Sequence, residues 1–202
     1  MTDGIEESNS TLLPELLPLF VNLAGRRVLL VGAGPVGASK LASLLAAGAD
    51  VTVVAPDIHA DVDRAEKEGT IKVSRRPFVG EDLTGAWLVV AAATPDVNQE
   101  VAAAAEARAV FVNAVDDPPN ATAYLSGVVR RAGVTLAIST RGDAPGLAGL
   151  LREALDEVLP ADLGTWMDEA RRQRVIWKRD NVAMADRRPL LLEALNRLYE
   201  RR

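Results

Sequence analysis

The stretch that decides the fold is VLLVGAGPVGASK, Val28 to Lys40. An apolar, β-branched run meets three glycines, and a helical pattern follows directly. Gly32, Gly34 and Gly37 make a G-x-G-x-x-G spacing between a strand and a helix. The three glycines do physically separate things. Gly32 permits the tight turn, Gly34 lets backbone approach a pyrophosphate, and Gly37 allows the helix to pack closely on the strand. The amino end of that helix, where Pro35 and Val36 stand, offers unpaired N–H groups and a partial positive charge to an anion. Pro35 suits a first helical turn because its missing N–H would have had no intrahelical partner.

Outward from this loop, the chain alternates strand and helix. Residues 26–32 read as a buried strand. Residues 35–49 read as a helix with Leu41, Leu44 and Leu45 on one face and Gly48 as its stop. A second strand over 50–56 is expected to end at Pro56, and a polar helix over 58–69 to end at Gly69. A third strand spans 70–78, and a fourth spans 86–94, apolar throughout as in a sheet covered on both faces. A helix over 96–109 leads to a fifth strand over 110–116. This order implies a parallel sheet that binds ligands beyond the carboxyl ends of its strands. The pattern then changes. Residues 123–129 and 133–139 read as two strands joined by the turn RRAG. A loop then enters a helix at 141–160, with Leu147, Leu150, Leu151, Ala154, Leu155 and Val158 as its apolar stripe. The remainder reads as helices with basic faces. Three units follow: a dinucleotide-binding domain at 1–125, a β element and loop into a helix at 126–155, and a helical domain at 156–202.

Composition narrows the chemistry. The chain has 202 residues, 49% hydrophobic, with a net charge of -5, which argues against nonspecific nucleic-acid binding as its main activity. It has no cysteine, which excludes disulfides, thiolate catalysis and cysteine metal sites. No apolar run approaches the roughly 18 residues of a membrane span. Residues 1–10 are polar and acidic, unlike a signal peptide, and read as a disordered tail. A cytoplasmic protein is the expectation.

Within the dinucleotide reading, an acid is expected about 20 residues after the glycines to meet the ribose hydroxyls. The second strand has none at its tip, but Asp57 follows Pro56. No arginine stands there to favour a 2′-phosphate, so NAD is preferred to NADP. A reaction would sit at the ends of strands four and five, where Thr94 could border the nicotinamide side and Asn113 and Asp116 lie at the edge. In an extended chain Asp116 and Asp117 point to opposite sides, and only one faces the cofactor. An aspartate there could act as a general base while hydride leaves for NAD. The plainer reading is a turn before Pro118 and Pro119.

With these residues in view, the sequence resembles the precorrin-2 dehydrogenase/sirohydrochlorin ferrochelatase family, the leading module of siroheme synthase. The resemblance rests on LPLFVNLAGRRVLLVGAGPVGASKLASLLAAGADVTVVAP, WLVVAAATPDVNQEVAAAAEARAVFVNAVDDP and LAISTRGDAPGLAGLLRE, and runs from about 18 to about 160. It implies a Rossmann-type domain, a small β element used in dimerisation, and a C-terminal helical domain. It implies NAD-dependent oxidation of precorrin-2 to sirohydrochlorin, with an anionic tetrapyrrole as substrate, a homodimer, and ferrous iron as a second substrate in bifunctional members. The family's key aspartate falls on Asp116. The family's Ser-Ser-Gly-Gly loop reads Ser139, Thr140, Arg141, Gly142 here. Arg141 therefore replaces a small residue, and either meets a substrate carboxylate or is a solvated loop arginine. Thr140 reads as a helix-entry residue or a phosphorylation site.

Other signals are weaker. His59, the single histidine, reads as solvated, and no protein-held metal is expected. Arg75, Arg76 and the run from Arg171 to Arg179 are either solvated faces or steer an anionic tetrapyrrole. Trp87, Trp166 and Trp177 read as packing residues. Three rival functions keep parts of the pattern: a dehydrogenase of another modified-tetrapyrrole pathway, a non-catalytic NAD sensor, and a dimerising scaffold.

Overall fold

A computed structural model describes residues 15–200; the tail at 1–10 lies outside them. The chain forms β1 (Arg27–Ala33), α1 (Pro35–Ala46), β2 (Asp50–Ile58), α2 (Ala60–Lys67), β3 (Lys72–Ser74), β4 (Leu88–Ala91), α3 (Pro95–Glu106) and β5 (Phe111–Ala114). These strands make one sheet in the order β3-β2-β1-β4-β5, all neighbours parallel. Alternation along β1 supplies both faces of the core. Val28 and Leu30 pack with Leu41 and Leu44 of α1 and Val62 of α2, while Leu29 and Val31 pack with Val101 and Ala105 of α3. Each such leucine or valine, fully buried, contributes about 1.5–3 kcal/mol. From β1 the chain winds first to β2 on one side and later to β4 on the other. The strand order therefore reverses between β1 and β4, the crevice position for ligands in open α/β sheets.

Several expectations need correction. β2 does not stop at Pro56 but runs to Ile58. Its register with β1 shifts between Val31 and Ala33, so that Ala33 faces Ile58. β3 pairs only with Thr52, Val53 and Val54, which leaves no ladder bond for the missing proline N–H to break. β3 itself is three residues long, because the chain turns away at Arg75 and Arg76. His59 is not simply solvated: its Nδ1 accepts the Asp61 N–H at 3.2 Å as the amino-terminal cap of α2. Trp87 is 47% exposed, lying under the Arg26 guanidinium at 4.1 Å from the ring centre, because the buried part of its strand begins only at Leu88. Trp177 is buried as expected.

The hairpin forms with shifted bounds: β6 (Gly127–Arg131) and β7 (Val134–Ile138) pair antiparallel, so Arg130 and Arg131 belong to the strand and not to the expected turn. Ala132 and Gly133 both take positive φ, the two-residue turn that matches strand twist. Helix α4 (Pro145–Val158) lies on β6, and a β-carbon on Gly127 would stand 3.4 Å from the Ala148 oxygen and 3.8 Å from the Arg152 Cβ. The α4 stripe is not buried within the chain. Leu150 is 66% and Val158 78% exposed, because Ala148 is the face that meets the hairpin. Helices α5 (Leu163–Arg179) and α6 (Met184–Glu200) follow. The Trp166 Nε1–H donates to the Tyr199 hydroxyl at 2.6 Å, and that hydroxyl donates to Asp162.

Candidate active site

The glycine loop has the geometry its spacing requires. Gly32 has φ 92°, and a β-carbon there would stand 2.3 Å from the Ala92 oxygen. Gly37 is buried, and its β-carbon would meet the Gly32 oxygen at 2.2 Å. Gly34 differs: a β-carbon there meets nothing within 4 Å. Its open side lies at the start of α1, which has no side-chain cap and no acidic residue in its first turn. The Pro35–Val36–Gly37 turn therefore keeps its amino-terminal N–H groups and its positive partial charge for an external anion. These residues fit the pyrophosphate of a dinucleotide. Pro56 and Asp57 stand exposed at the carboxyl end of β2, next to β1 in the sheet.

Two depressions adjoin at the carboxyl edge of β4 and β5. The first, about 440 Å³, is lined by Val36, Ala92, Ala93, Pro95, Asn98 and Asp116, among others. The second, about 290 Å³, includes Lys40, Asn113, Asp116, Ser139, Thr140 and Arg141. Val115, Asp116 and Asp117 line both. Asp116 is thus the wall between a space beside the glycine loop and a space beneath the 139–142 loop.

Asp116 is not in an extended chain. Its φ is 55°, in the left-handed region, so the expectation that Asp116 and Asp117 face opposite sides does not hold. The turn brings both to the same two depressions. The side chain of Asp117 accepts from Asn120 Nδ2 at 2.9 Å. Asn113 is 6% exposed; its Nδ2 donates to the Ala123 oxygen at 3.0 Å, while its Oδ1 has no hydrogen-bond partner. It pins the segment after β5 back across the strand. Thr94 precedes α3 and lies outside both linings, although its neighbours Ala93 and Pro95 line the first.

The 139–142 loop is held locally. The Ser139 Oγ accepts the Arg141 N–H at 3.2 Å, and the Thr140 Oγ1 accepts the Ala144 N–H at 3.4 Å. Arg141 has φ 57°, which a glycine would adopt without strain. Gly142 sits against Pro118, where a β-carbon would stand 3.1 Å from Cγ, so this loop packs onto the turn that carries Asp116.

Sequence reasoning missed Asn98, Lys40 and Arg152. Asn98 is 3% exposed and its Oδ1 accepts the Ala93 N–H at 3.1 Å, fixing the strand-four loop. The signal was an amide one residue after Val97, on the turn that opens a helix whose later part is apolar. Most of the expected steering arginines are engaged elsewhere. Arg75 pairs with Glu66 and Asp63, Arg76 with Asp82, Arg171 with Asp168, Arg172 with Glu169 and Arg179 with Asp180. None of them lines either depression. Among the described residues no His/Cys/Asp/Glu group is arranged to hold a metal ion, and no helix is long and apolar enough to cross a membrane.

A family model described as "Putative NAD(P)-binding" matches residues 19–127, which takes in the glycine loop, the whole parallel sheet and the Asp116 turn. The chain belongs to this family. Its curated relatives include a siroheme synthase of Photorhabdus laumondii, 38% identical over 90% of this chain and 39% of that protein. A siroheme synthase of Zymomonas mobilis is 37% identical over 92% of this chain and 40% of its own length. The chain therefore spans about two fifths of these relatives. Among solved structures, SirC, a precorrin-2 dehydrogenase, superposes with a TM-score of 0.67 at 26% identity, covering 88% of each chain. The match reaches beyond the Rossmann-type sheet into the hairpin and the carboxyl-terminal helices.

Proposed function

We propose that this chain is an NAD-dependent precorrin-2 dehydrogenase that forms sirohydrochlorin on the way to siroheme. The observation that carries the reading is Asp116, shared by the cavity beside the glycine loop and the cavity under the 139–142 loop. Siroheme synthases that align over most of the chain, and the precorrin-2 dehydrogenase SirC over the same span, support the substrate assignment.

Gly32, Gly34, Pro35, Val36 and Gly37 would hold the pyrophosphate, Asp57 with Pro56 the adenosine ribose, and Thr94 and Asn113 the nicotinamide side. When bound, the dinucleotide supplies a hydride acceptor. Oxidation of precorrin-2 removes a hydride and a proton, and the proton goes to a carboxylate oxygen of Asp116. Ser139, Thr140 and Arg141 position the macrocycle over that carboxylate, Arg141 by meeting a carboxylate of the ring. NAD is preferred to NADP because Arg64, the arginine nearest in sequence to Asp57, is engaged by Asp61 on α2.

The same reading makes the enzyme a homodimer of a cytoplasmic pathway. The exposed α4 leucines, beside a hairpin whose two strands pair with no third strand among the described residues, are the surface for that contact. The division at 125 separates the cofactor domain from the dimerisation element, while the one expected at 155 falls inside α4 (Pro145–Val158), so the helical domain begins after that helix.

The test is anaerobic turnover. Precorrin-2 generated in place is mixed with the protein and NAD while NADH and sirohydrochlorin absorbance are followed together. Equal amounts of both products are expected, formed about 10²–10⁴ times more slowly by Asp116→Asn. A folded protein that binds NADH but forms no NADH from precorrin-2 overturns the reading. Ferrous iron added afterwards, as a substrate, tests for chelation against a protein-free control.

A further inference from the structure

Lys40 has an unusual position. It is half-buried in the wall of the second depression, and it makes no hydrogen bond or ion pair among the described residues. An ammonium group without a counter-charge stays available to an anionic ligand as a point charge. Asp116 and Asp117 line the same space, yet neither stands within ion-pair distance of it. Lys40 lies four residues after Val36 on α1, one turn and about 6 Å along the helix. Val36 faces the first depression and Lys40 the second. One helix face thus spans both, with Asp116 between them.

A second cation enters the same depression from α4. Arg152 lies over the bare backbone of Gly127 and, among the described residues, pairs at 3.0 Å with its exposed sequence neighbour Glu153 alone. Such an i,i+1 surface pair contributes little and exchanges readily for a better partner. Arginine and lysine side chains that line one space recognise carboxylates, the first by a planar fork and the second as a point charge.

We infer that Lys40 and Arg152 form a two-point carboxylate clamp, from α1 and α4 respectively, that grips two peripheral acid groups of the tetrapyrrole and sets the ring edge against Asp116. The inference rests on the tetrapyrrole reading of the site. It assigns substrate selection to residues outside the 139–142 loop, and it predicts that ligands lacking paired carboxylates bind poorly.

Titration with sirohydrochlorin, followed by absorbance, tests this in the full chain, with NADH titration as a second readout. Lys40→Met and Arg152→Gln should each weaken sirohydrochlorin about tenfold or more, as for loss of one charge-assisted bond, and leave NADH affinity unchanged. Lys40→Arg should stay within about threefold of wild type, and Glu153→Gln should tighten binding by freeing Arg152. Wild-type affinity in Lys40→Met, equal loss of NADH binding in that variant, or no sirohydrochlorin binding by the wild type would each overturn the clamp. The two readings fail separately. Sirohydrochlorin binding that depends on Lys40, without NADH formation from precorrin-2, removes the dehydrogenase and keeps the clamp. Turnover with an unchanged KM in Lys40→Met removes the clamp and keeps the dehydrogenase.

Discussion

A β-carbon on Gly37 would stand 2.2 Å from the carbonyl oxygen of Gly32. The two outer glycines of the loop therefore serve each other: the turn at Gly32 brings its carbonyl against the helix that Gly37 leaves bare. Gly37→Ala should cost about 1–3 kcal/mol, because the atom in the way is backbone and cannot swing aside. Gly32→Ala should cost at least as much, since it adds left-handed strain to a clash with the Ala92 oxygen. Gly34 meets no protein atom. Gly34→Val should leave the melting temperature unchanged and weaken NADH at least tenfold, by filling the pyrophosphate's approach. Thermal melts and NADH titrations of the three variants check the separation. Parallel loss of stability in all three would mean that the loop serves packing alone.

Asp116 has φ 55°, a conformation that costs a non-glycine residue energy and persists where function retains it. Asparagine tolerates this geometry nearly as well as aspartate. Asp116→Asn should therefore fold normally, bind NADH normally, and lose about 10²–10⁴ in kcat, the usual contribution of a general base. Asp116→Gly should gain roughly 1 kcal/mol of stability by removing the strain while losing the same activity. Denaturant melts beside turnover assays would show opposite signs. A destabilised Asp116→Gly, or an Asp116→Asn that turns over normally, contradicts the assigned role.

Much of this was readable from residue order. The apolar runs at Val28–Val31 and Leu88–Ala91 place buried parallel strands, and the glycine spacing places the cofactor loop between them. What was not readable depends on where the chain turns in space. Asp116 and Asp117 look like alternating residues of an extended strand, but β5 ends at Ala114 and the left-handed turn swings both acids into one crevice. The arginines look available until α2 supplies Glu66 and Asp63 to Arg75. The α4 stripe has core periodicity, yet among the described residues nothing covers it. Periodicity reports that a face is apolar, not which molecule buries it.

That uncovered stripe supports a prediction on assembly. Leu150 is 66% exposed and Leu147 51%, and both stand on the helix whose Arg152 reaches the second depression. If a second copy covers this face, Leu150→Glu should convert a dimer to a monomer in sedimentation experiments, since the glutamate would have to be desolvated in the contact. NADH binding should persist, because the glycine loop lies on other elements. Tetrapyrrole binding should weaken as α4 loses its support. An unchanged sedimentation coefficient would exclude this face from the dimer contact.

The final prediction concerns pH and the turn leading to β4. Arg76 donates two hydrogen bonds to Asp82, at 2.8 and 2.6 Å, and the Val79 N–H donates a third at 3.0 Å. The Arg76 bonds, and after them the Val79 N–H, hold the Asp82 carboxyl below its ordinary value against the opposing effect of burial. A carboxyl whose pKa is lower in the folded than in the unfolded chain stabilises the fold above the unfolded value of about 3.9, and that contribution disappears as pH falls through the folded value. Asp82→Asn should therefore destabilise the protein at pH 7, and the gap to wild type should close progressively below about pH 4. Arg76→Gln should behave in the same way, since it removes the same charge-assisted bonds. Urea melts at about pH 7, 5, 4 and 3 measure the gap directly across that window. A difference that stays constant across that range would mean that Asp82 acts through its turn geometry and not through its charge.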